Sequence, residues 1–111
     1  MSVKTRNDAL SGSLTLLILK TLAIGAMHGY GISSRIQQMS DDLLRVEEGS
    51  LYPALHRMEE EGWIESEWGT TESNRRARFY QLTKAGREQL DQQLESWRRV
   101  TLGVSLVLES A

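Results

Sequence analysis

A chain of 111 residues is long enough for one domain with a modest core, and short for two. The absence of cysteine excludes disulfide bonds and thiolate metal sites, while the charged content of 25% is ordinary for a globular protein. The net charge of -2 and the pI near 5.7 are lower than is typical of nucleic-acid-binding domains, so any role in binding DNA has to rest on local charge.

Residues 1–7 are polar, and we expect them to form a flexible arm. They lack the apolar stretch of a signal peptide. The longest unbroken apolar run, Leu16 to Leu19, is far shorter than the roughly 20 residues that cross a bilayer. We therefore expect a soluble, cytoplasmic protein that does not associate with membranes.

Two helices are predicted in the first 40 residues. From about Asp8 to Met27, leucine and isoleucine are too dense for a one-sided surface helix, which indicates a helix buried on most sides. Glycines and His28 then interrupt the pattern at positions 25–31. A short amphipathic helix follows, with Ile32, Ile36 and Met39 at helical spacing. Residues 40–48 are polar apart from Leu43, Leu44 and Val46, which predicts a connection or one irregular helical turn.

The segment EEGSLYPALHRMEEEGW predicts a third helix. Ser50 is a candidate N-cap, which would place Pro53 in the first turn, where its missing N–H costs nothing. Gly62 supplies the stop at the other end. The apolar stripe of this helix consists of Leu51, Ala54, Leu55 and Met58. Helix geometry then points Pro53, His56, Arg57 and Glu60 outward, with Ser50 and Tyr52 flanking that face.

A β-hairpin is predicted next, with strands over residues 63–68 and 76–82 and the turn-rich segment GTTESNR between them. Side chains alternate between the two faces of a hairpin, so Arg76 and Arg78 share one face while Arg75 lies by the turn. We expect a positively charged hairpin tip, well away from the acidic residues of the helices. The alternative is that these arginines pair across the hairpin with Glu65, Glu67 and Glu72.

The chain from Thr83 onward predicts one long helix, with Thr83 as its cap. Over residues 84–108 this helix would be about 37 Å long. Its apolar seam follows heptad spacing through Leu90, Leu94, Trp97, Thr101, Val104 and Leu108. The seam is too long for so small a domain to cover, so we expect it to pair with a second copy. The alternative is a helix that folds back on its own domain.

Three helices, a hairpin and a long helix follow the order of a winged helix-turn-helix with an appended oligomerisation helix. The motifs HGYGI, GSLYPALHRMEEEGWI and EWGTTESNRRARFYQLTKAGRE closely resemble the PadR family of bacterial transcriptional regulators, over roughly residues 14–97. The short C-terminal helix resembles that of the smaller subfamily. The expected fold is mostly α (α+β), with a two-stranded wing. The expected domains are a DNA-binding domain at residues 8–83 and a dimerisation helix at residues 84–111.

The resemblance implies a homodimeric regulator, expected to be a repressor, that binds a pseudo-palindromic double-stranded DNA operator. The candidate DNA contacts are Ser50, Tyr52, Pro53, His56 and Arg57 on the third helix, and Arg75, Arg76 and Arg78 on the wing. Hydroxyl, imidazole and guanidinium groups bind phosphates and base edges. In the alternative interpretation, Ser50 only caps the helix, Tyr52 only packs and Pro53 only starts the helix.

Two further interpretations concern ligands and partners. Trp97 lies in the middle of the seam, where two indoles of a dimer could hold a planar hydrophobic effector; equally, Trp97 could be an ordinary interface residue. The acidic run Glu59 to Glu61 supports a winged-helix protein-interaction module that does not bind DNA. An enzyme is not expected, since the only histidines are His28 and His56 and no nucleophile stands beside a base. No metal and no cofactor are expected.

Overall fold

The computed structural model describes residues 3–111, with side chains from residue 13 onward. Its elements are α1 (Val3–Ile24), β1 (Met27–His28), α2 (Gly29–Met39), α3 (Glu48–Glu60), β2 (Ile64–Thr70), β3 (Arg76–Leu82) and α4 (Lys84–Leu108). Helices α2 and α3 form a helix-turn-helix, and the hairpin of β2 and β3 forms a wing beside it. The predicted winged helix-turn-helix is confirmed. Within residues 3–111, no helix has an apolar stretch long enough to cross a membrane.

The first helix differs from its expected bounds at both ends. It begins at Val3, because neither proline nor glycine interrupts the residues before Gly12, and so it takes in most of the segment expected as an arm. Met1 and Ser2 lie outside the described residues. The helix ends at Ile24, three residues before the expected end, because the chain turns there: the Gly25 N–H donates to the Leu22 carbonyl at 3.2 Å.

The core lies where α1, α2 and α3 meet the base of the wing. Two consecutive residues of α1, Ile18 and Leu19, are both fully buried, as expected for a helix covered on more than one side. The core residues are Leu14, Ile18, Leu19, Leu22, Ile32, Ile36, Val46, Leu51, Ala54, Leu55, Met58, Ile64 and Tyr80.

The sheet has three antiparallel strands in the order β1-β3-β2. The predicted hairpin is confirmed, although its first strand covers residues 64–70 and not 63–68; the register runs from Ile64 opposite Leu82 to Thr70 opposite Arg76. Strand β1 was not predicted, because two residues are too short to show a periodic pattern. It pairs Met27 with Tyr80 and His28 with Phe79, so it supports only the inner part of β3.

Gly62 ends α3, as expected. Its φ of 80° is in the left-handed region, which glycine occupies without a steric penalty. The Gly62 N–H donates to the Glu59 carbonyl at 3.0 Å, and the Trp63 N–H donates to the Met58 carbonyl at 3.0 Å. These two bonds form a Schellman motif, and the chain continues directly into β2.

The junction between the wing and α4 is built around Thr83, which caps α4 as predicted. The Thr83 hydroxyl accepts a hydrogen bond from the Gly86 N–H at 3.0 Å and donates one to the Gly62 carbonyl at 2.6 Å. Gly86 is buried, and a Cβ there would overlap the Trp63 carbonyl. The missing side chain thus lets the first turn of α4 pack closely against the base of the wing.

Candidate nucleic-acid interface

Helix α3 has one buried and one exposed face, as its apolar spacing predicted. The buried face consists of Leu51, Ala54, Leu55 and Met58, each at most 2% exposed. The exposed face carries Tyr52, Pro53, His56, Arg57 and Glu60. A phenol, an imidazole and a guanidinium on one solvent-facing surface are donors for phosphate and base-edge hydrogen bonds.

Ser50 is not the N-cap of α3, so this part of the prediction was wrong. The cap is Glu47 and helix begins at Glu48, where an acidic side chain is favourable against the partial positive charge of a helix start. Ser50 is therefore a half-buried residue inside the first turn, and its N–H donates to the Glu47 carbonyl at 3.0 Å. Pro53 consequently lies in the second turn, not the first, and it leaves the Gly49 carbonyl without its intrahelical donor.

Tyr52 both packs and faces solvent. Its ring lies against Gly29 at the start of α2, where a Cβ would be 2.8 Å from the Tyr52 Cζ. The side chain is nevertheless 45% exposed. Glycine at position 29 thus allows α2 and α3 to meet closely while the tyrosine remains available to a ligand. The interpretation of Tyr52 as a packing residue only does not account for this exposure.

The two histidines make local contacts. The His28 Nδ1 accepts a hydrogen bond from the Gly31 N–H at 3.1 Å and thereby caps α2, at the point where the sequence pattern is interrupted. His56 Nε2 lies 3.3 Å from Glu60 Oε2, one helical turn later, and both side chains are exposed. Among the described side chains, no three His, Asp or Glu residues are grouped closely enough to hold a metal ion.

The wing presents its arginines as the strand alternation predicted. Arg76 and Arg78 share a face with Trp68, and their guanidinium carbons lie 4.7 and 5.9 Å from the centre of the indole ring. Arg75 lies at the turn, where its carbonyl accepts from the Thr71 N–H at 2.8 Å. All three arginines are exposed. Among the described side chains, no carboxylate forms an ion pair with Arg75 or Arg76.

Arg78 differs from its expected environment. Its Nη2 lies 3.1 Å from Glu59 Oε2 on α3, so this arginine is not separated from the acidic residues of the helices. The expectation failed because Glu59 is 19 residues away and reaches the wing only through the tertiary packing of β2 against α3. The alternative pairing across the hairpin is not observed either: Glu65 instead accepts a hydrogen bond from Gln81 Nε2 at 3.0 Å.

A groove between the wing and the starts of α2 and α3 brings Tyr52 together with the candidate contacts of the wing, whereas Ser50, Pro53, His56 and Arg57 lie outside its lining. It has a volume of about 1110 Å³, and its lining includes Tyr52 together with Arg75, Arg76 and Arg78. Sequence reasoning missed four aromatic members of this lining, Tyr30, Trp68, Phe79 and Tyr80. Tyr30 and Trp68 are 74% and 59% exposed, and the position of Tyr30 within the HGYGI motif is the sequence signal that could have identified it.

The seam of α4 divides into a covered and an uncovered part. Leu90 packs against the core of its own protomer and Leu94 is half-buried, so the fold-back alternative holds for the first turns. Trp97, Val104 and Leu108 are 48%, 51% and 77% exposed, and Thr101 is exposed as well. The C-terminal half of the helix therefore carries a seam of exposed, mostly apolar side chains.

Comparison with known proteins agrees with this architecture. A transcriptional regulator from Mycobacterium tuberculosis is 36% identical over 94 residues, covering 82% of this chain and 84% of the relative. The structure of a transcriptional regulator from Clostridium thermocellum superposes with a TM-score of 0.81 at 32% identity, covering 88% and 95% of the two chains. The structure of a PadR-like transcriptional regulator from Bacillus cereus superposes with a TM-score of 0.80 at 30% identity, covering 94% of this chain and 99% of that chain. The family profile described as "Transcriptional regulator PadR-like family" matches residues 18–92, and this chain belongs to that family.

Proposed function

We propose that this chain is a homodimeric repressor that binds a pseudo-palindromic double-stranded DNA operator. The observation that carries the proposal is the groove that Tyr52 of α3 and the three arginines of the wing line together. In this arrangement α3 enters the major groove, while the wing follows the phosphate backbone or the minor groove. Ser50 and Pro53 lie next to the contact surface, and Tyr52, His56 and Arg57 supply its hydrogen-bonding groups.

Local charge offsets the acidic total at this surface. In the described part of the chain, Arg57, Arg75 and Arg76 have no ion-pair partner. A guanidinium that is not already neutralised releases counterions from DNA when it meets a phosphate, and this release supplies much of the binding free energy. The net charge of -2 therefore does not preclude binding, because the charges nearest a phosphate act most strongly on it and more distant charges are screened by salt.

The open seam of α4 supports the homodimer. A symmetric pair of these helices would bury Trp97, Val104 and Leu108, which are otherwise exposed apolar side chains. Two-fold symmetry would also present two copies of α3 to successive major grooves, about 34–36 Å apart on one face of the duplex. The proposed operator is pseudo-palindromic for this reason.

The test is the salt dependence of binding to a fluorescein-labelled 30-bp duplex from the chain's own promoter region, followed by fluorescence anisotropy. Replacing Arg75, Arg76 and Arg78 together by alanine should weaken binding and reduce the steepness of its salt dependence, by about 0.9 for each phosphate that the wing no longer binds. The control replaces Lys84, Arg87 and Arg99 of α4, which removes the same charge from a different surface. Equal weakening in the two variants would contradict the assignment to the wing.

The competing function is a winged-helix protein-interaction module, supported by the acidic run Glu59 to Glu61 on α3. The same titration separates the two. A wild-type dimer that shows no salt-dependent retention of any duplex would favour the interaction module. Binding that strengthens as salt is lowered would favour the DNA-binding regulator.

The proposal also includes a planar hydrophobic effector that binds at the dimer interface. It is supported by Trp97, which is 48% exposed in the middle of the seam, where two indoles would lie close together in a symmetric dimer. Tryptophan fluorescence should be quenched by planar cationic dyes, and this quenching should be lost in Trp97→Ala but retained in Trp68→Phe. Quenching that persists without Trp97 would rule out this site.

A further inference from the structure

The three arginines of the wing differ in their surroundings. Arg78 takes part in a closed set of hydrogen bonds that links both strands of the wing to α3. Its Nε donates to the Ser66 hydroxyl at 3.1 Å, and its Nη2 contacts Glu59 Oε2 at 3.1 Å. The Ser66 hydroxyl in turn donates to the same Glu59 oxygen at 2.7 Å. Ser66 thus uses its hydroxyl as donor and acceptor at once.

The environment of this set strengthens it relative to an ordinary surface ion pair. The Glu59 side chain is only 25% exposed, and the Arg78 side chain is 46% exposed. Tyr80, which follows Arg78 on the same face of β3, is 6% exposed and belongs to the core. Partial burial lowers the local dielectric constant, so the attraction between the two charges is less screened than at a fully exposed pair.

The position of Arg78 in the sheet also supports a role in holding the wing. Strand β1 pairs only with Phe79 and Tyr80, so the part of β3 toward the turn, from Arg76 to Arg78, has β2 as its only neighbouring strand. A two-stranded ribbon is marginally stable without further support. The contact between Arg78 and Glu59 lies at the residue where the wing leaves the three-stranded sheet.

We infer that Glu59 and Arg78, joined through Ser66, form a strut that sets the orientation of the wing relative to α3, leaving Arg75 and Arg76 to contact phosphate. This inference rests on the proposed DNA-binding function. It makes Glu59 and Arg78 positioning residues for DNA binding. It also reduces the number of wing arginines that contact the backbone from three to two in each protomer.

The strut predicts an effect of Glu59→Gln on DNA affinity that is opposite to the effect expected from charge alone. Deleting a negative charge near the phosphates should strengthen DNA binding if Glu59 acts only through its charge. If Glu59 positions the wing, Glu59→Gln should instead weaken binding. An ion pair of about 1 kcal/mol corresponds to a change of about fivefold in the dissociation constant.

The experiment measures the dissociation constant of the full-length chain for a labelled 30-bp duplex of arbitrary sequence at several salt concentrations. Non-specific binding depends on phosphate contacts, so no operator is needed. The variants are Glu59→Gln, Arg78→Glu and the exchange Glu59→Arg/Arg78→Glu, with Glu61→Gln as the matched control on the same helix. Circular dichroism melting verifies that each variant is folded.

The strut predicts weaker binding for Glu59→Gln, no loss for Glu61→Gln, and strong weakening for Arg78→Glu. The exchange should restore the wild-type dissociation constant within about twofold, because it rebuilds the same attraction with the charges reversed. Its salt dependence should also match wild type, because neither position contacts a phosphate. Ser66→Ala is a second probe that keeps both charges, and it should weaken binding without changing the salt dependence.

Three outcomes would overturn the strut while leaving DNA binding intact. Tighter binding by Glu59→Gln would mean that Glu59 competes with phosphate for Arg78. An exchange variant that is folded but remains as weak as Arg78→Glu would mean that Arg78 itself contacts phosphate. Unchanged binding by Ser66→Ala would show that the Ser66 hydroxyl does not hold Glu59 and Arg78 in position. Failure of the wild-type chain to bind the duplex at any salt would instead refute the proposed function, and the strut with it.

Discussion

One face of strand β3 carries both exposed charged side chains and a buried aromatic side chain. Arg76 and Arg78 are exposed and flank the Trp68 ring, while Tyr80, two residues further along, is buried in the core. The wing is therefore anchored by its inner end and charged at its outer end. Burial raises the pKa of Tyr80, the Arg78 guanidinium partly opposes the rise, and the Glu59 carboxylate adds to it.

This pKa shift predicts a specific loss of stability in alkaline solution. The unfolded chain loses the Tyr80 proton near pH 10, whereas the folded chain retains it to higher pH. The contribution is complete below pH 10 and is lost as the pH rises through the folded pKa, by at most about 1.4 kcal/mol per pH unit. Urea unfolding between pH 8 and 11 should therefore show a steeper decline for wild type than for Tyr80→Phe. Parallel declines would contradict the shift.

Gly62 allows a second prediction for a single residue. A Cβ at position 62 would have no atom within 4 Å, so the cost of Gly62→Ala comes from its φ of 80° and not from crowding. We expect the free energy of unfolding to fall by about 1 kcal/mol. Gly103→Ala is the matched control, because position 103 is helical and equally uncrowded, and alanine there should raise stability by about 0.5–1 kcal/mol. Chemical denaturation measures both; changes of the same sign would contradict the backbone explanation.

At the scale of elements, Thr83 holds three segments together. Its hydroxyl caps α4 and also donates to the Gly62 carbonyl at the end of α3, while its N–H donates to the Trp63 carbonyl just before β2. The end of α3, the start of β2 and the start of α4 therefore meet at one residue. This junction sets the direction in which α4 leaves the winged helix.

Removing the Thr83 hydroxyl should be more costly than removing an ordinary cap. Thr83→Ala is expected to lower the free energy of unfolding by about 1–2 kcal/mol, near the upper end for N-caps, because the hydrogen bond to the Gly62 carbonyl is lost as well. Thr83→Ser keeps the hydroxyl and should retain most of the stability. Guanidinium denaturation compares them, and an equal loss in both variants would show that the methyl group matters more than the hydroxyl.

Local sequence patterns predicted most of the elements, because they depend on neighbours along the chain. The buried face of α3, the stop at Gly62 and the cap at Thr83 follow from helix periodicity and terminal chemistry. Two features could not be predicted in this way. Strand β1 exists only through pairing with β3, about 50 residues later, and the partner of Arg78 is supplied by the docking of α3 against the wing. Long-range packing decides both.

At the scale of the whole molecule, α4 dominates the shape. The protein measures 56 × 32 × 22 Å, and a helix of 25 residues accounts for about 37 Å of length. Beyond Leu94 the seam side chains Trp97, Val104 and Leu108 are exposed, and the last two turns are apolar on several sides, with Leu102, Leu106 and Val107 each at least 60% exposed. A helix that is apolar all round is normally buried, which favours pairing with a second copy.

The last prediction tests whether this helix controls both dimerisation and DNA binding. In a two-fold interface each substitution occurs twice, so Val104→Asp would place two carboxylates in the apolar seam. Burial of an unpaired charge costs about 3–5 kcal/mol, which corresponds to a dimer dissociation constant raised more than about 100-fold. Gln92→Asp is the control, since position 92 lies on the side of α4 away from the seam. Sedimentation velocity over a range of concentrations should find monomers only for Val104→Asp. Fluorescence anisotropy should show that this variant also binds DNA more weakly, because a monomer engages one half-site. A Val104→Asp chain that remains dimeric would place the interface elsewhere; a monomer that binds DNA as tightly as wild type would separate DNA binding from dimerisation.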